Sequence, residues 1–418
     1  MNMEDEYSFM QETVKEERMS PKKVLAKVCK WIGLGLVFGV AACIAFYALK
    51  PWAEETFREE PDEVELSDDP EISEPEAPIV ETPVEDEDEA DKQETKEPLT
   101  LDDYFVLNNE LKMAANAAQK SVVEVSGIEE GADWTSGEGG ILGSTAGLIV
   151  ADNGRELLIL SNYSSTKSTK IYQVKFADGA VHPASLKQMD TNLDIAVYSV
   201  AKDEIAESTW DHVEIAEIGN SNHIGQGRTV IAVGRPFGFA NGVGYGVVST
   251  VSEKVVKADG EYDIIVTDIA YVPSGSGFLF DIYGNVVGYV EPSLGDGTLV
   301  AYGISDITAE IEMMSNGKNI PYVGVVGIMV TEEIAELYGI PIGLYVTGVE
   351  VGSPAMEAGI QNGDVITEIK DQEITSIDVY HKALYELQPG HSVKFEGQRY
   401  GTEEYVDMDF TVAIGIKE

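Results

Sequence analysis

From about Leu101 the chain is cut into short β-branched and aromatic runs: SVVEVSG, GLIVAD, ELLILSN, KIYQVKF, DIAVYSV, RTVIAVG, GVVSTVS, DIIVTDI and NVVGYVEP, with Gly, Asn and Asp between them. Runs of this length are too short for stable helices and are bounded by turn residues, so they read as many short strands, the pattern of a β-sandwich or barrel. An amphipathic stretch near Tyr104 to Lys120 predicts a helix before the strands, and Ser305 to Met314 predicts another after them. Beyond Ile320 the pattern changes. Strands are expected around Tyr322 to Val330 and Gly343 to Val351, and helices near Glu332 to Tyr338 and Ser376 to Leu387, which describes a separate small mixed domain.

The N-terminal part obeys different physics. Trp31 to Leu49 (WIGLGLVFGVAACIAFYAL) carries no charge and has about the length that crosses a roughly 30 Å hydrocarbon core. It predicts a transmembrane helix at 31–49. The alternative, a cleaved signal peptide, fits less well because the apolar run is too long and no small-x-small cleavage site follows. Lys22, Lys23, Lys27 and Lys30 precede it and mainly acidic residues follow Lys50, so residues 1–30 are expected in the cytoplasm and the bulk outside. Residues from about 53 to 98 are dominated by Glu, Asp and Pro. Too little apolar surface is available there to offset backbone ordering, which predicts a disordered acidic linker over 50–100. A basic partner or Ca²⁺ would be the alternative use of that acidity, but no fixed ligand spacing appears.

The net charge of −46 excludes a phosphate-binding surface and so argues against a nucleic-acid partner. Both cysteines, Cys29 and Cys43, lie at or inside the apolar segment, so no disulfide scaffold is available to the exterior. No HExxH, Cys-x-x-Cys, Walker or dinucleotide glycine pattern is present, and neither a metal nor a cofactor is expected.

Four segments together carry a resemblance. They are GSTAGLIVADNGRELLILSNYS (Gly143 to Ser164), LDIAVYSV (Leu193 to Val200), IAVGRPFGF (Ile231 to Phe239) and TDIAYVPSGSGFLFDIYGNVVG (Thr267 to Gly288). In order and spacing they resemble the HtrA/Deg family of serine proteases. The resemblance implies a chymotrypsin/trypsin-like double β-barrel at 101–316. It puts the triad acid at Asp194 and the nucleophile at Ser276, with backbone N–H groups of Ser274 and Ser276 forming an oxyanion hole. The family's histidine falls on Ser164.

A serine hydroxyl is a poor nucleophile until an imidazole takes its proton and later returns it to the leaving amine. Ser164 does neither near neutral pH. Loss of a triad histidine costs about 10⁶ in turnover, which leaves no useful protease. His182, His212, His223, His381 and His391 all lie away from the strand that should present a catalytic histidine. A Ser-Lys dyad through Lys167 or Lys170 is the remaining route, but nothing marks the burial that would depress a lysine. The family's Gly-Asn-Ser-Gly-Gly-Pro also reads Ser274-Gly275-Ser276-Gly277-Phe278-Leu279 here, with a large ring where a glycine allows close packing. Asp194 and Ser276 then have a plain alternative as structural residues of a strand start and a Gly-rich turn.

YVGV at Tyr322 to Val325 and GSPAMEAGIQNGDVITEIKDQEI at Gly352 to Ile374 resemble HtrA-type PDZ domains, which implies a PDZ domain over 317–418. Such a domain captures a C-terminal carboxylate on loop N–H groups, here those of Tyr322, Val323, Gly324 and Val325, and extends a strand edge with the peptide. Ile377, His381 and Leu384 recur at near-helical spacing and are expected to wall the side-chain pocket, with core burial as the alternative. A PDZ domain that only packs on its neighbour is the competing reading.

The expectation is therefore a membrane-anchored pseudoprotease of the bacterial cell envelope that binds exposed or C-terminal peptide segments of envelope proteins. The alternatives are an active endopeptidase with an unorthodox or supplied base, and an envelope sensor signalling through residues 1–30. A homotrimer is implied by family analogy alone.

Overall fold

The computed structural model describes residues 61–66, 100–131 and 140–417. The apolar segment 31–49 and nearly all of the acidic stretch lie outside the described residues. Among the described residues no helix is long and apolar enough to cross a membrane. Everything below lies within one compact unit that begins at Asp62.

The strand-length runs form two closed six-stranded antiparallel barrels. The first contains β1 (Val122–Ile128), β2 (Ile141–Asp152), β3 (Glu156–Asn162), β4 (Ile171–Lys175), β5 (Val181–Asp190) and β6 (Ile195–Ala201), in the order β1-β2-β3-β6-β5-β4. The second contains β7 (Thr229–Arg235), β8 (Gly242–Lys257), β9 (Gly260–Ala270), β10 (Ser276–Phe280), β11 (Val286–Val290) and β12 (Thr298–Gly303). Its order, β7-β8-β9-β12-β11-β10, repeats that of the first barrel. Strands β6, β10 and β11 are buried along almost their whole length, whereas β5 and β8 are mostly half-buried or exposed. A closed barrel leaves no free strand edges.

Helix α1 (Leu101–Ala118) precedes the barrels, started by a Thr100–Asp103 capping box. The expected amphipathic burial is not seen. Only Ala115 and Ala118 are buried, whereas Leu101, Tyr104, Phe105, Val106, Leu107 and Met113 are exposed. Helix α2 (Ile304–Ser315) follows β12 and buries Ile304, Ile307, Ile311 and Met314 in the main core.

One part of the acidic stretch departs from the expectation of disorder. The backbone N–H of Asp62 donates to the Asn153 carbonyl (3.0 Å), and Val64 exchanges two hydrogen bonds with the Asn316 amide, both 2.9 Å. Val64 is buried in the core cluster and Lys318 pairs with Glu63 at 2.5 Å. Composition over a window missed this because one apolar side chain and a single asparagine suffice to fix a short extended segment.

The C-terminal domain has β13 (Pro321–Tyr322), β14 (Val325–Val330), helix α3 (Glu332–Tyr338), β15 (Gly343–Val349), β16 (Asp364–Ile369), β17 (Gln372–Glu373), helix α4 (Ile377–Tyr385), β18 (Ser392–Tyr400), β19 (Tyr405–Ala413) and β20 (Gly415–Ile416). The main sheet runs β14-β15-β16-β18-β19, and β13 pairs with β20 apart from it. Its core centres on Val346, Ile366, Tyr380, Leu384, Phe395 and Val412. The expected strand from Tyr322 to Val330 is broken at Gly324, whose φ of 83° no other residue would accept easily. A Cβ there would also stand 2.4 Å from the Ser353 Cβ.

Candidate functional site: the barrel seam and the carboxylate loop

The expected triad positions come from both barrels. Ser164 follows β3 and Asp194 precedes β6, so two neighbouring strands of the first barrel bring them together. The Ser164 hydroxyl donates to Asp194 Oδ2 and the Ser164 N–H donates to Oδ1, both at 2.6 Å. Asp194 sits at φ 57°, and its carbonyl accepts from the Tyr163 N–H (3.1 Å) and the Tyr289 hydroxyl (2.9 Å). Burial first, and the Asp194 charge next, push the Tyr289 phenol well above its usual range, so it stays a neutral donor.

Ser276 opens β10 in the second barrel and is 3% exposed. Its Oγ accepts a hydrogen bond from the Ala146 N–H of β2 at 2.9 Å, across the seam between the barrels. The seam is closed by small residues. Cβ atoms added at Gly234 and Gly277 would meet the Ala146 Cβ at 2.8 Å and the Val233 carbonyl at 2.5 Å. Ser274 is exposed, and the intervening Gly275 N–H is spent on the Val272 carbonyl at 2.7 Å. The large ring of Phe278 points into the barrel core against Tyr289, with centroids 5.8 Å apart, and is fully buried.

The five histidines make other contacts or lie on other elements. His182 lies on β5 beside Phe176, His212 contacts the Ser208 carbonyl, and His223 lies in a short 3₁₀ turn. His381 stacks between Tyr262 and Tyr385 at 5.9 and 5.8 Å, and the His391 backbone closes the turn before β18. Lys167 and Lys170 are both exposed on the loop after Ser164.

The loop expected to take a carboxylate is occupied by a carboxylate of the chain itself. The N–H groups of Val323, Gly324 and Val325 converge on the carboxylate of Asp259, at 2.7, 2.8 and 2.9 Å. Asp259 comes from the two-residue turn between β8 and β9, and sequence reasoning did not single it out. Of the expected pocket residues, Leu384 belongs to the domain core, Ile377 is half-buried, and His381 is covered by aromatic rings. Burial first, then the nearby Lys417 charge, push the His381 imidazole down to about 4, so it is neutral at physiological pH.

Two closed barrels with a serine at their seam, followed by a sheet with a glycine-broken carboxylate loop, define a trypsin-like peptidase fold joined to a PDZ domain. Residues 145–288 match the Trypsin-like peptidase domain family and residues 321–410 match the PDZ domain family. Among curated proteins the chain is 30% identical over 278 residues to the Serine protease Do-like HtrA of Lactobacillus helveticus, covering 61% of this chain and 65% of that one. It is 28% identical over 299 residues to a probable periplasmic serine endoprotease DegP-like of Halomonas elongata, covering 68% and 58%. The matched part thus spans about three fifths of the length of these relatives. Among solved structures, the HtrA-type protease AlgW with decapeptide superposes with a TM-score of 0.51 at 23% identity, covering 74% of this chain and 99% of that one, which speaks to the fold. The chain thus combines a trypsin-like peptidase domain with a PDZ domain and is similar to HtrA-type serine proteases.

Proposed function

We propose that this chain is a membrane-anchored, extracytoplasmic HtrA-type protein in which peptide capture by the PDZ domain outlives hydrolysis at Ser276. The observation that carries it is the pairing of Asp194 with Ser164. A triad acid works by orienting an imidazole and stabilising its charged form. Here both carboxylate oxygens of Asp194 are taken by the backbone and hydroxyl of Ser164. A hydroxyl in that position has no basicity near pH 7 with which to accept a proton from Ser276. The retained serine is itself held by a seam amide, and its neighbours Gly234 and Gly277 read as packing requirements.

The location outside the membrane rests on the lysines before Trp31 and on the apolar segment 31–49. The names of the relatives favour the other reading, an active endopeptidase with a supplied base. The two are separated by incubating the full chain with unfolded casein and with a fluorophosphonate probe beside a Ser276→Ala control. No Ser276-dependent cleavage and no labelling above the control are expected. Turnover abolished by Ser276→Ala refutes the pseudoprotease reading. Protease added to intact cells with an accessible outer face should leave a fragment from Met1 to about Pro51, and complete protection contradicts the topology.

On the binding side, the loop of Tyr322 to Val325 and the edge of β14 would take peptides ending in Val, Leu, Ile or Phe with a free carboxylate. Micromolar affinity, about −8 kcal/mol, is the expected scale. Amidated peptides should not bind, because the N–H groups then face a neutral end.

A further inference from the structure

We infer that the PDZ carboxylate loop is held shut by the chain's own β8–β9 hairpin, with Asp259 standing in for a peptide C-terminus. This rests on the peptide-capture reading and specifies how that site is regulated.

The contact reproduces the two elements of terminal recognition. A PDZ ligand places its carboxylate on converging loop N–H groups and pairs its main chain with the adjacent strand edge. Asp259 does both. Its carboxylate receives the N–H groups of Val323, Gly324 and Val325, and its own N–H donates to the Val325 carbonyl at 2.7 Å. β14 is an edge strand of its sheet, so the hairpin tip occupies the start of the edge that a peptide would extend.

The site is built for an anion. Asp259 is 2% exposed, and such a charge is tolerated only where donors replace its water. The three N–H groups are those donors, and Tyr380 adds a hydroxyl at 3.3 Å. The turn alone does not account for an aspartate. The φ of 61° at position 259 suits Gly or Asn as well, and neither carries the charge.

The hairpin tip is tied to the first barrel, on the residues between β5 and β6. Asn192 donates to the Ala258 carbonyl (3.1 Å) and Lys257 donates to the Asn192 carbonyl (2.6 Å). Beside them Lys417 of the C-terminal domain lies 2.9 Å from both Asp190 and Glu310, and Tyr385 donates to Glu310 at 2.9 Å. An incoming carboxylate must therefore displace Asp259 before it can bind. Apparent affinity falls by the fraction of molecules in which the loop is free.

The test uses the full chain in detergent and a fluorescein-labelled ten-residue peptide ending in Ala-Val, as free acid and as amide. Asp259→Gly removes the carboxylate while keeping the left-handed turn, and Asp259→Asn keeps the shape without the charge. Both variants should bind the free acid at least about tenfold more tightly than the unmodified chain. Equal affinity in all three overturns the latch and leaves peptide capture standing. Absence of binding in all three overturns peptide capture, and hydrogen exchange then decides the latch. Faster exchange at Val323 to Val325 in Asp259→Gly, with Val365 unchanged, supports it, and unchanged exchange at the loop overturns it.

Discussion

The barrel seam and the loop from Tyr322 to Val325 are the two places where contact with a peptide was expected, and in this chain both are satisfied from within. They are satisfied at different ranges. At the seam, Ser164 and Asp194 are 30 residues apart on neighbouring strands of one barrel, so no rigid-body movement separates them. At the loop, Asp259 meets Val323 to Val325 across a boundary between two domains, 64 to 66 residues apart in the chain. A closure within a barrel is part of the fold. A closure between domains is an equilibrium that a ligand can shift.

The largest expected effect breaks the interdomain side of that comparison. Lys417 is the cation between buried Asp190 and Glu310, with 4% of its side chain exposed. Burial alone would lower its ammonium pKa, but Glu310, Tyr262 and Asp190 together raise it well above the usual range. Lys417→Met should cost about 3–5 kcal/mol in denaturant unfolding, because two buried carboxylates lose their partner. Adding Glu310→Gln to that variant should recover part of the loss. An effect near zero would mean that the domains separate at no cost.

A pH dependence sharpens the same boundary. Asp306 on α2 accepts from the Asp263 N–H at 2.6 Å. Burial first, then the charges of Asp263 and of Asp378 on α4, raise its carboxyl to about 6, partly offset by Lys254. Its stabilising contribution is present below the ordinary aspartate value near 4 and is lost as pH rises through about 6. Asp306→Asn should therefore gain about 2 kcal/mol at pH 8 and about nothing at pH 4. Thermal unfolding at the two values checks it, and a gain equal at both pH values rules out titration of Asp306 as the cause.

The smallest effect probes the closure within the barrel. Ser164→Ala removes one exposed hydroxyl bond and keeps the backbone bond to Asp194, so about 0.5–1.5 kcal/mol should be lost, with peptide affinity unchanged. Ser164→His should restore at most weak turnover, since Ser276 is held by the Ala146 amide rather than presented to a base. Full turnover from that one change would show the remainder of the site to be competent.

The strand runs and the glycine-rich PDZ segment are local in origin, so they were readable in the sequence. Alternation, turn residues and motif spacing depend on neighbours a few positions away, and the helices at Ile304–Ser315 and Ile377–Tyr385 lie close to where their periodicity put them. The expectation that Ser164 stands at the family's histidine position came from the same motif spacing. The pairing of Ser164 with Asp194, the seam amide on Ser276 and the burial of the Phe278 ring required the barrels to close. Val64 reads as one more residue of an acidic stretch until Asn316 arrives 252 positions later. Asp259 is the clearest case. An aspartate before a glycine is one of several residues a hairpin turn accepts, beside asparagine and glycine, so in the sequence it carries no local mark of a ligand. Only the docking of the C-terminal domain brings three free N–H groups to its carboxylate, because the donors and the charge come from distant segments that tertiary packing alone brings together.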